Sequence, residues 1–284
     1  MRTVRRVWAV GLAWFVGSLV LLSQNATAAL LDDIKKRGEI VVATEAAFAP
    51  FEFVENGKIV GYGADLLVVL MKDLTAQGVK VKQLDLPWQG VLPGLLAKKY
   101  DMVATSVVVT EERVKRFAFT VPIAEATLAI AVRKDDNTIQ KPEDIAGKVV
   151  GTQQASAPLG GLKVFNEQLV KTKGAGVKEI KEYIGFPELY VDLANGRVDA
   201  VANGLPNLAV LAKQQPDKYK VVGTFGDKAY FSWVTRQPDK DLLKYLNDRL
   251  IKLKQDGTMK EMQQKWFGFV METPNAGFKP LVTK

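Results

Sequence analysis

Short apolar runs rich in β-branched residues alternate along the chain with stretches whose apolar positions recur every three to four residues. "EIVVAT" (39–44) reads as a buried parallel strand and "GADLLVVLMKDLTA" (63–76) as a helix. An alternating strand "VKVKQL" (79–84), a helical "GVLPGLLAKK" (90–99) and a strand "YDMVAT" (100–105) follow. A second series holds "KVVGT" (148–152), the helix "LGGLKVFNEQLV" (159–170), "KEIKEY" (178–183), the helix "PELYVDLANG" (187–196) and "VDAVAN" (198–203). The repeated β-α-β order predicts open, mostly parallel α/β sheets. At the sequence level the two series are not repeats of each other.

Two extended apolar runs, "ATLAIAVRKDD" (126–136) and "AYFSWVTRQ" (229–237), bracket the second series, and only the helices 238–255 and 257–268 come after. This pattern suggests a discontinuous architecture in which residues 29–128 plus 227–284 form one lobe and 129–226 the other. Two hinge strands would join them around a cleft, where ligands usually bind. Two domains in simple succession would also satisfy the pattern.

Composition narrows the function classes. Residues 1–28 carry Arg2, Arg5 and Arg6, an apolar run from Val7 to Leu22 and a closing Ala26-Thr27-Ala28, the layout of a cleaved secretory leader. An uncleaved anchor is the rival, because the run nears the lower limit for a span. The reading is export to the periplasm. With no cysteine and no histidine, disulfides, thiolate or imidazole metal sites and Ser-His-Asp catalysis are all excluded, and no cofactor or metal is expected. The formal charge of +8 becomes +5 without the three leader arginines, and the remaining charges are scattered among acids, so nucleic-acid binding is not expected.

One short stretch carries chemistry. In "ATSVVVTEERVKRFAF" (104–119) a strand ends at Thr110, a good N-cap, and Glu111 and Glu112 suit the positive end of a helix dipole. Arg113 opposes that dipole. An anion held by the free backbone N–H groups and the guanidinium together would explain it; a surface ion pair with Glu111 or Glu112 is the plain alternative.

Several stretches then converge. "GEIVVATEAAFAPFEFVENGKIVGYGADL", "VLPGLLAKKYDMVATS", "VTEERVKRFAFTVPI", "LANGRVDAV" and "MQQKWFG" resemble, in order and spacing, the family 3 periplasmic solute-binding proteins, receptors of amino-acid ABC importers. The resemblance spans 30–270 and implies a two-lobed α/β fold (type II) with two crossover strands, closing over one small solute. It implies Arg113 as the clamp on a ligand carboxylate, Ser106 as a hydroxyl and backbone contact, and Phe48 and Trp88 as aromatic walls, with Tyr62 close by and Phe51 in the core. Glu45 would reach the ligand's distal end. Gln153 and Ser156 would meet it from the second lobe; in an ordinary amino-acid receptor, Asn203 or a shifted acid such as Asp199 would be alternatives to Glu45 for meeting the amine.

Two departures stand out. Where such receptors usually carry a Ser or Thr, this chain has Val108, and where they carry an amine-binding Asp it has Gly204. A buried ammonium without a counter-charge loses roughly 2–5 kcal/mol. Either the solute lacks a free α-ammonium, as a betaine or ectoine does, or Glu45 supplies the charge in an ordinary amino-acid receptor. A dehydratase on the same scaffold is the enzyme alternative; against it, Glu45 beside Arg113 would have a lowered pKa. The partners implied are a small solute, a membrane ABC permease and, in a sensing role, a chemoreceptor, with the protein a monomer.

Overall fold

The structure, a computed structural model, describes residues 29–283, so the leader lies outside the described residues. The chain begins with α1 (Leu30–Arg37) and β1 (Glu39–Thr44), then a small antiparallel meander of β2 (Ala47–Phe48), β3 (Glu52–Glu55) and β4 (Lys58–Val60). The meander was legible in "ENGK": Asn56 and Gly57 take φ of 51° and 74°, the left-handed pair that a two-residue hairpin requires. Next come α2 (Tyr62–Leu70), α3 (Lys72–Ala76), β5 (Lys80–Asp85), α4 (Trp88–Leu96), β6 (Met102–Val108), α5 (Glu111–Val114), β7 (Phe117–Phe119) and β8 (Ala124–Glu125). The single helix expected over 63–76 is divided at Met71.

The chain then enters a second sheet through β9 (Leu128–Arg133), β10 (Val149–Gln153), α6 (Ala157–Lys173), β11 (Glu179–Tyr183), α7 (Phe186–Ala194), β12 (Ala200–Gly204), α8 (Leu205–Gln214) and β13 (Tyr219–Phe225). It returns to the first through β14 (Tyr230–Arg236), followed by α9 (Lys240–Gln255) and α10 (Thr258–Phe267). The first sheet has the order β5-β1-β6-β14-β7, with β8 also on β14, and the second β11-β10-β12-β9-β13. In each, three parallel strands meet one that runs against them, so the sheets are mixed while most of their strands run one way. The strands flanking the crossings cause this: β14 and β9 both run against their neighbours. The crossings lie between β8 and β9 and between β13 and β14, and Ala126 N–H donates to Ala229 O at 2.8 Å to tie them together.

The sheets echo each other where the sequence had shown no repeat. Thr44 Oγ1 donates to Ala104 O at 3.1 Å in the first, and Thr152 Oγ1 to Ala202 O at 3.0 Å in the second. Asp101 accepts from Val41 N–H at 2.7 Å and Asp199 from Val149 N–H at 2.8 Å. "VVAT" and "VVGT", with "DMVATS" and "DAVANG", are the local traces of this symmetry. Ser106 and Gly204 are therefore counterparts, each at the carboxyl end of a central strand, where ligands of open α/β sheets sit.

Candidate functional site

Loops at the carboxyl ends of both sheets meet over one cleft, lined by Glu45, Phe48, Trp88, Ser106, Val108, Arg113, Gln153, Ser156, Asn203, Phe186 and Phe231, among others. Eight of the nine residues expected to touch a ligand are brought together here. Tyr62 is not: it is fully buried, its hydroxyl donates to Ile123 O at 2.7 Å, and its ring packs on Phe51 and Phe267. The start of α2 turns it inward beneath the cleft. Tyr62→Phe is expected to cost about 1 kcal/mol of stability in denaturant unfolding and to leave solute binding unchanged.

Arg113 sits where the local sequence placed it. Thr110, in extended conformation, caps α5, its Oγ1 accepting from Arg113 N–H at 3.2 Å. The guanidinium donates to Val108 O at 3.1 Å and, across the lobes, to Ala155 O at 3.4 Å, and lies 5.0 Å from the Trp88 ring centroid. Desolvation lowers its pKa to about 10, so it stays cationic at neutral pH. Neither Glu111 nor Glu112 forms an ion pair with it, although the Glu112 charge favours its cationic form, so the direct partners of this half-buried cation are carbonyls and a ring.

The lobes are closed on each other. Trp88 Nε1 donates to Ala155 O at 3.0 Å, Gln153 Nε2 to Glu45 Oε1 at 2.5 Å, and Asn207 Nδ2 to Ala49 O at 2.8 Å. Phe48 packs on Phe186 at 5.6 Å and Phe231 at 5.8 Å. The space left between these walls is about 20 Å³, the size of one water site.

Two expected hydroxyl contacts are already committed. Ser106 Oγ donates to Glu52 Oε1 at 3.4 Å, and Ser156 Oγ donates to Gln153 O at 2.6 Å while accepting from Leu159 N–H as the cap of α6. Ser156 is left with its backbone for a ligand. Glu52, which the sequence reading missed, is fully buried beneath the cleft. Burial, with a smaller push from Glu45, raises its pKa well above the usual carboxylate value despite the bonds from Thr105 and Ser106. Phe186 and Phe231 were also missed. Phe186 opens α7 as Trp88 opens α4, after the equivalent strand of its sheet, and that correspondence was the available signal.

Glu45 departs from expectation. Its pKa is raised to about 7, first by burial and then by Asp85, with the Gln153 bond opposing. No ion pair with Arg113 forms, so the lowered pKa expected from that neighbour is corrected. Its folded pKa exceeds the ordinary 4.5, so its contribution to stability is present below that value and is lost as pH rises through about 7. Glu45→Gln is expected to remove on the order of 3 kcal/mol of the stability decline between these limits, read from urea unfolding across pH. An unchanged pH profile would show that Glu45 ionises freely.

Gly204 is enclosed. A Cβ there would lie 3.1 Å from Phe231 Cζ, 3.3 Å from its Cε2 and 3.2 Å from Asn207 Oδ1. The space an acidic side chain would need holds the edge of an aromatic ring. Asp199 cannot replace that acid, because it accepts from Val149 N–H at the opposite end of β12.

Residues 40–269 match the family described as bacterial extracellular solute-binding proteins, family 3. The chain is similar to the L-cystine-binding protein TcyJ of Escherichia coli (strain K12), 30% identical over 241 residues covering 84% of this chain and 86% of the relative. Among solved structures it is similar to an ancestral arginine-binding protein bound to arginine, at 36% identity and TM-score 0.71, covering 82% of this chain and 99% of that one. It is also similar to the ancestral amino acid-binding protein AncCDT-1, a precursor of cyclohexadienyl dehydratase, at 30% identity and TM-score 0.73, covering 84% and 99%.

Proposed function

The chain belongs to the family 3 bacterial extracellular solute-binding proteins, and from that premise we propose that it is a periplasmic receptor for a small zwitterion that bears a carboxylate but no free primary ammonium. The class is that of betaines and cyclic amidines such as ectoine. Arg113 takes the carboxylate as a bidentate partner in place of the carbonyls it now contacts. Phe48, Trp88, Phe186 and Phe231 surround the shielded cation, each ring worth about 0.5–2 kcal/mol in a desolvated site. Lobes of residues 29–128 plus 227–284 and 129–226 turn about the two crossings, and solute contacts to both shift the population toward the closed form that a membrane ABC permease reads.

The observation that carries this reading is the Phe231 ring edge in the side-chain space of Gly204. A second reading, an ordinary amino-acid receptor, is supported by Glu45 in the cleft, whose pKa would fall once an ammonium faced it. The test is thermal melting of residues 29–284 with glycine betaine, ectoine, arginine, cystine and plain carboxylates. A solute at 100 times its dissociation constant adds about 2.7 kcal/mol, a shift of a few degrees. Stabilisation by arginine or cystine alone selects the second reading, and conversion of a bound solute to product would select an enzyme.

A further inference from the structure

The family match ends at residue 269, but the chain does not leave the fold there. After α10 an irregular tail runs back along the first lobe, and Phe278 packs edge-on against Tyr230 of β14 at 5.5 Å. At Leu281 it pairs with the segment between β6 and α5. Leu281 N–H donates to Val109 O at 2.9 Å, and Glu111 N–H donates to Leu281 O at 3.1 Å, a parallel bridge to Thr110. Leu281 is 3% exposed.

These bonds fall on both sides of Thr110, the residue whose hydroxyl caps Arg113. The tail also faces the other lobe. Leu281 and Val282 share the walls of a cavity of about 240 Å³ with Gly161, Val164 and Phe165 of α6. Thr283 lines the mouth of the cleft together with Arg113 and with Ser156 and Ala157, where α6 begins.

We propose that residues 278–283 form a strap that positions the Arg113 segment by strand pairing and braces α6 of the second lobe in the closed form. The strap sets how readily the lobes close, with or without a solute. It rests on the two-lobed fold and not on the identity of the ligand.

The absence of cysteine allows a clean test. Spin labels at Lys99→Cys and Glu188→Cys, exposed positions on opposite lobes, report the interlobe distance by pulsed dipolar spectroscopy, first without any solute. Truncation after Lys279 is expected to reduce the ratio of closed to open molecules roughly tenfold, about 1.4 kcal/mol of packing toward α6, because the backbone bonds to Val109 and Glu111 lie within the first lobe and are made whether it is open or closed. Leu281→Ala, which keeps the backbone bonds, is expected to give a smaller shift in the same direction, and it decides the matter if the truncated chain does not fold. Distance distributions identical to the parent's in the folded variants would overturn the strap. A merely stabilising tail would lower the melting temperature and leave the distances unmoved.

Discussion

Arg113→Ala is expected to weaken the binding of whichever solute stabilises the protein by about a hundred- to a thousandfold, while leaving the unliganded melting temperature unchanged or slightly raised. The first part follows from the loss of a charge-assisted bidentate contact in a closed cleft, worth on the order of 2–5 kcal/mol. The second follows from the present surroundings of the guanidinium. It is desolvated, meets two carbonyls and a ring, and has only the unpaired charge of Glu112 nearby to offset this, so its removal relieves a poorly compensated charge. Arg113→Lys keeps the charge without the planar fork and is expected to fall between the two. Titration calorimetry with the solute, beside melting without it, separates these effects. A variant that binds as tightly as the parent would place the carboxylate elsewhere.

The second large effect concerns Gly204. Gly204→Asp alone is expected to destabilise the protein by about 1–3 kcal/mol, because the new side chain meets Phe231 and Asn207 at 3.1–3.3 Å and the packed ring must move. Paired with Phe231→Ala, the carboxylate has room. The double variant is expected to gain ten- to a hundredfold for solutes with a free α-ammonium and to lose affinity for quaternary or cyclic cations, which forfeit a ring and meet a group suited to a donor. Dissociation constants for both classes, measured on parent and double variant, decide it. An unaltered preference would mean that the cation never approaches Gly204, and the ligand class proposed above would fall with it.

The two effects differ in how visible they were. Arg113 stood out because a local rule was broken: a cation opened a helix whose cap and acids were otherwise well chosen. Its neighbours in the chain were enough to raise the question. Phe231 broke no rule, since an aromatic residue in an apolar strand reads as core. Only the pairing of β14 with β6, more than a hundred residues away in the chain, brings its ring to the carboxyl end of β12. Glu52 was hidden for a related reason. In "FEFVENG" it alternates as an exposed strand residue would, yet the meander folds it under Thr105 and Ser106.

By itself the sequence determined the order of strands and helices, the crossing segments, the family and the position of Arg113. The elements and Arg113 rest on periodicity and capping, which act over a few residues and are written in neighbouring letters; the family rests on the resemblance of several motifs in register along the chain. The tertiary structure alone decided that Tyr62 lies beneath the cleft, that Asp199 holds a strand end, that the Ser106 and Ser156 hydroxyls are engaged, and that Glu45 is raised rather than lowered. Each of these depends on which groups from distant parts of the chain exclude water from a side chain or donate to it. Desolvation and hydrogen bonding are properties of that assembled neighbourhood, and no local pattern encodes them.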